Sequence, residues 1–153
     1  MYRIDFTATV KKSVILTLFA LFLLGCIFSL MVGSTFHITE PPNEYLGLPN
    51  NGGTAEERCK FLSSLGYSPD ITDEESQDFT IPAVFSDVYE NYNELQKLSG
   101  SDLSLYKTAD CTRYTYPDGD TGYRLNIIVY DGKIIGGDRC CAALDGDMTP
   151  LGQ

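Results

Sequence analysis

Histidine is all but missing from this sequence of 153 residues: its one copy, His37, sits just beyond a long apolar run rather than in the body of the chain. Acid–base and nucleophilic catalysis built on histidine is therefore excluded from that body. Glycine-rich phosphate loops are missing as well, since neither G-x-x-x-x-G-K nor G-x-G-x-x-G occurs. Gly136-Gly137-Asp138 begins like a nucleotide-cyclase motif, but Arg139-Cys140 stands where that motif needs an acidic residue and a phenylalanine. There is no C-x-x-C pair, and with a single histidine the cysteine spacing suits no zinc site. No cofactor and no metal are expected.

Basic residues are scarce too. Of 11 basic and 21 acidic side chains, Arg3, Lys11, Lys12 and Asp5 fall within residues 1–33, which leaves 8 against 20 in the rest, a balance of -12. A body this acidic repels phosphate backbones and anionic lipid heads, so nucleic acid is excluded as a partner.

What is abundant is hydrophobicity in one place. Val14 to Val32 is an uncharged run of 19 residues. As a helix it spans roughly 28 Å, the thickness of a bilayer's hydrocarbon layer. Three basic residues precede the run and none follows before Arg58, which orients the N-terminus to the cytoplasm and the rest outside. The chain thus reads as a cytoplasmic tail (1–13), a transmembrane helix (14–32), a linker (33–53) and an extracytoplasmic domain (54–153). Two other readings of the run involve processing. Leu23-Leu24-Gly25-Cys26 has the form of a lipoprotein box that would lipidate Cys26, although the apolar Ile27–Val32 continues past it. Val32-Gly33-Ser34 has the form of a secretory cleavage site, but the run is longer than a signal peptide needs.

The linker is rich in Pro41-Pro42, Pro49, Asn50-Asn51 and Gly52-Gly53. Thr54-Ala55-Glu56-Glu57 then forms a capping box. The helix it starts carries Ala55, Cys59, Leu62 and Leu65 inward and closes at Gly66. After an acidic stretch, Phe79-Thr80-Ile81 predicts a short strand. Phe85, Val88, Tyr89, Tyr92 and Leu95 give a second helix its apolar stripe, with Asn93 on the opposite side and Gly100 as the stop. Residues 110–116 and 123–130 read as strands. Asp131-Gly132 is the strongest hairpin signal, leading into Lys133-Ile134-Ile135. The fold class is α+β: two main helices on one face of a three- to four-stranded antiparallel sheet.

Outside the apolar run stand Cys59, Cys111, Cys140 and Cys141. Cys59 reads as a small buried hydrophobe. Adjacent Cys140 and Cys141 point to opposite faces of a strand. A bridge from Cys111 to Cys140 or Cys141 is one arrangement, and unpaired core thiols are the other. The two Asp-Gly-Asp triplets, 118–120 and 145–147, read as turns rather than calcium loops.

Several pieces in order resemble the uncharacterised bacterial domain family DUF4830. They are Thr54-Ala55-Glu56-Glu57-Arg58, Leu65-Gly66-Tyr67, Val88-Tyr89-Glu90-Asn91-Tyr92-Asn93, Arg113-Tyr114-Thr115-Tyr116, Ile135-Gly136-Gly137-Asp138 and Ala143-Leu144-Asp145-Gly146. The resemblance covers residues 54–151 and implies a small extracytoplasmic domain behind an anchor, with no established activity. Tyr67, where the family usually has tryptophan, and Cys140-Cys141 depart from the pattern. Within these motifs Arg113, Gly136, Gly137, Asp138 and Asp145 form the candidate interaction surface. The expected function is a membrane-anchored module that binds or regulates an envelope or membrane protein. The alternatives are a small envelope enzyme working through carboxylates or a Cys140/Cys141 thiol site, and a structural spacer.

Overall fold

The computed structural model describes residues 40–141, 143 and 146–153. The expected transmembrane run with Cys26, the tail before it, His37 and Asp145 lie outside these residues. Among the described residues, no helix is long and apolar enough to cross a membrane.

Helix α1 (Ala55–Ser64) begins as the sequence predicts. The Thr54 hydroxyl accepts from the Glu57 N–H, and the Glu57 carboxylate accepts from the Thr54 N–H. This satisfies two amides that a helix start otherwise leaves unpaired. Gly66, at φ +91°, turns the chain away at the other end. Helix α2 (Asp87–Leu98) is capped by Ser86, and Gly100 follows at φ +82°. Its inward stripe differs from the expected one. Val88 is 79% exposed, whereas Asn93 and Gln96 are buried. Asn93 is satisfied there, donating to Asp102 Oδ1 at 2.9 Å and accepting from the Leu103 N–H at 2.7 Å. Gln96 accepts from the Gly137 N–H at 2.8 Å. Tertiary hydrogen bonds have thus rotated the helix off its hydrophobic stripe.

The main sheet has five strands rather than three or four: β3 (Glu75–Thr80), β4 (Asp110–Pro117), β5 (Tyr123–Tyr130), β6 (Lys133–Cys141) and β7 (Met148–Pro150), adjacent in that order and all antiparallel. Strand β3 starts four residues before the predicted Phe79. Its leading residues are polar because β3 is an edge strand with mostly exposed side chains. The β5–β6 turn places Asp131 and Gly132 at φ +47° and +72°, the two positive values that a type I′ hairpin requires.

The helices lie on opposite faces of this sheet, not on one. Leu125, Ile127 and Val129 of β5 join Phe61 and Leu62 of α1 in one core. Ile128 packs with Ile81, Leu103 and Ile135 in a second, against which Phe85, Tyr89 and Tyr92 sit. Leu125 to Val129 is therefore buried without interruption, as in any strand covered on both sides.

Residues 44–53 belong to the domain rather than to the expected linker. A small hairpin, β1 (Glu44–Tyr45) and β2 (Leu48–Pro49), places Tyr45 in the α1-side core, stacked on Phe61 with ring centroids 5.8 Å apart. The Tyr45 hydroxyl pairs with Ser99 Oγ at 2.7 Å, and burial pushes its pKa up to about 12. Asn50 is tied to β6, donating to the Ile134 carbonyl and returning its own carbonyl to the Ile134 N–H, both at 2.8 Å. The Pro, Asn and Gly content that suggested a linker serves this close backbone approach. Tyr45→Ala should cost about 3–5 kcal/mol, measured as a lowered urea midpoint; a loss within about 0.5 kcal/mol would place this hairpin outside the cooperative unit.

Candidate functional site: a pocket beneath the second helix

On the α2 side the sheet carries a pocket of about 400 Å³, within the range of about 300–1,000 Å³ typical of small-molecule sites. Alternation along the strands supplies its floor: Gln77 and Phe79 from β3, Arg113 from β4, Asn126 and Ile128 from β5, and Asp138 from β6. Val88, Tyr89 and Tyr92 of α2 form one wall, and Met148 of β7 lies at the rim.

Two polar groups dominate the floor. Asp138 is the deeper and is 2% exposed. Its carboxylate accepts from Tyr92 Oη at 2.7 Å and from Asn126 Nδ2 at 2.8 Å, and Asn126 in turn accepts from Thr115 Oγ1 at 2.7 Å. Burial pushes the Asp138 pKa up, opposed by the hydrogen bonds from Asn126 and Tyr92 and by the charge of Arg113. The same burial, with Asp138 beside it, lifts the Tyr92 phenol well above its usual range. Arg113 is the shallower, exposed group. It donates through Nη2 to Gln77 Oε1. Among the described residues it forms no ion pair, whereas Arg58, Arg124 and Arg139 are held by Glu74, Glu75 and Asp118.

Arg113 and Asp138, two of the five residues singled out in the sequence, thus line one pocket. Gly136 and Gly137 lie beside it as packing positions. A Cβ on Gly136 would come within 2.8 Å of Gln96 Oε1, and one on Gly137 within 2.5 Å of the Asn126 carbonyl oxygen. Of the two cysteine arrangements the sequence allows, the Cys111–Cys140 bridge is not formed, and both thiols are free. Cys111 precedes the row through Thr112 and Val129, whereas Cys140 stands in the row of Arg124 and Pro117, two strands away. Six residues along a strand separate them by roughly 20 Å, far beyond disulfide reach. Cys140 Sγ instead accepts from Asn126 Nδ2 at 3.3 Å. Asp118 of the first Asp-Gly-Asp triplet serves its turn, accepting from the Ser68 N–H and from Arg139 Nε. Gln77, Phe79, Asn126, Ile128 and Met148 were missed as site residues, and Val88, Tyr89 and Tyr92 read in sequence as core rather than as part of a site. Period-two alternation on β4 and β5 could have paired Asn126 and Ile128 with Arg113, but it gives no hint of Gln77 on the polar edge strand.

Compared with known proteins, the chain matches no family model, no curated protein and no solved structure.

Two outcomes follow from this geometry. Gly137→Ala should destabilise by about 1–3 kcal/mol through overpacking, read from urea unfolding; an unchanged midpoint would contradict the close packing. Asp138 has a folded pKa above its unfolded one, so its contribution is full at pH below the unfolded value and falls as pH rises through the folded value. The stability of the parent relative to Asp138→Asn should therefore decline as pH rises above the ordinary aspartate value of about 4, followed by urea midpoints measured upward from there. A difference that is flat or rises with pH would show that burial does not raise the carboxyl's pKa.

Proposed function

We propose that this chain is a membrane-tethered, extracytoplasmic binding module, with the pocket beneath α2 as its recognition site. The carrying observation is the pocket itself, where an apolar wall meets Arg113 and a buried, hydrogen-bonded Asp138. Tethering and outward placement rest on the apolar run at 14–32, on the basic residues that precede it, and on the DUF4830-like motifs. The pocket's polar groups are arranged to hold rather than to transform. Asp138 is the one carboxylate among the described lining residues, and both its oxygens are engaged. A two-carboxylate hydrolytic mechanism needs a second acid across the bound bond.

Two measurements in intact cells test this. A photoreactive amino acid at Val88, on the exposed pocket wall, should give a discrete adduct that is absent when it replaces Lys60 on α1. Protease added outside should remove the domain and leave the N-terminal tail protected. No adduct from position 88 would overturn the binding reading, and a protected domain would overturn the outward placement.

A further inference from the structure

In a chain with 21 acidic and 11 basic side chains, an arginine with no ion pair among the described residues is conspicuous. Arg58, Arg124 and Arg139 each hold a carboxylate at 2.8–2.9 Å. Among the described residues the Arg113 side chain hydrogen-bonds only the neutral Gln77 side chain, and it stands in the floor of the largely apolar pocket. A guanidinium fork in such a place matches a planar carboxylate through two parallel hydrogen bonds.

We propose, building on the binding-module reading above, that the pocket takes a small apolar carboxylate, its body against Phe79, Val88, Tyr89 and Ile128 and its acid group on Arg113. The chemistry of the lining separates this ligand from its rivals. A phosphate dianion needs more donors than one arginine supplies. A cation would suit the aromatic wall, but Arg113 repels it and the Asp138 oxygens are already taken by Tyr92 and Asn126. An extended peptide finds little main chain to pair with on this floor. Strands β4, β5 and β6 are paired on both sides, so recognition over them falls to side chains, and only the edge strands β3 and β7 at the margins have main chain free to pair with a peptide.

The test uses the full chain in lipid nanodiscs, with empty nanodiscs subtracted, titrated by ligand-detected NMR. The probes are phenylacetate, phenylbutyrate and phenylhexanoate, with phenylbutanol, phenylbutylamine, inorganic phosphate and a short peptide ending in phenylalanine as comparisons. The expected result is that one or more of the carboxylates binds and the alcohol, amine and phosphate bind far more weakly. Arg113→Gln, which keeps an unaltered melting temperature, should weaken the carboxylate roughly tenfold or more without changing the alcohol. Alcohol binding equal to that of the acid, and insensitive to Arg113→Gln, would overturn the carboxylate assignment while leaving the pocket as a binding site. Tighter binding of the peptide than of any free acid would overturn the small-ligand assignment. No binding of any probe would overturn the proposal, and the Val88 adduct then decides separately whether the binding-module reading survives.

Discussion

Strand β5 is enclosed on both sides, so each of its residues commits the neighbouring strands to one core or the other. Leu125, Ile127 and Val129 face α1, and Asn126 and Ile128 face α2. Across it, β6 changes phase. Val129 pairs with Ile134 but Ile128 pairs with Gly136, so Ile135 is an extra residue in the ladder. Ile135 and Gly136 consequently both face the α2 side, the first in the core with Ile128 and the second against Gln96 and Ser101. Without that bulge, Asp138 would stand opposite Leu125 and enter an apolar core, where an ionisable group has no partner. With it, Asp138 stands opposite Asn126, within reach of Tyr92. The pocket's polar floor is thus a consequence of one inserted residue.

The opposite face is held by a different device. Arg58 of α1 is buried, with Nη2 donating to both Glu74 oxygens at 2.9 and 2.8 Å, Nη1 donating to the Gly52 carbonyl at 2.9 Å and Nε donating to Tyr116 Oη at 2.8 Å. The Tyr114 ring lies 3.5 Å from the guanidinium carbon, and the Tyr116 hydroxyl donates to Glu74. Removing two charges from water is costly, and only a fully hydrogen-bonded arrangement offsets it. Here one side chain joins residues 44–53, α1, β4 and the loop before β3, so the ion pair specifies how four segments meet. Tyr116 is correspondingly hard to ionise, through burial and its carboxylate neighbour.

Local signals were legible in the sequence where local physics decides the outcome. The capping box at Thr54, the left-handed Gly66, the Asp131-Gly132 turn and the limits of β5 each depend on neighbours within a few residues. What failed depends on distant partners. Asn93, Gln96 and Arg58 are polar in sequence and buried in the fold, because hydrogen-bond partners reach them from other elements. The polar opening of β3 resembles a loop until β4 pairs with it. Ile127-Ile128-Val129, three apolar residues in a row, was the available sign that both faces of the sheet are covered. Arg113 and Asp138 were picked out by motif resemblance, but nothing local reveals that they share a pocket, since that depends on the bulge beside Gly136.

The charge of the domain bears on how the proposed ligand is chosen. With a net charge of -10, the chain's long-range field disfavours every anion, and the field fades within about 10 Å at moderate salt. Arg113 acts at contact distance, where a bidentate pair against an apolar wall is little weakened by that field. A small hydrophilic anion gains only the Arg113 contact, whereas one with an apolar body adds burial against Phe79, Tyr89 and Ile128, at about 25 cal/mol for each Å² removed from water. The acidic surface thus weakens all anions alike, and selection falls to the apolar body of the amphiphilic carboxylate, whose binding draws on burial and one oriented ion pair together.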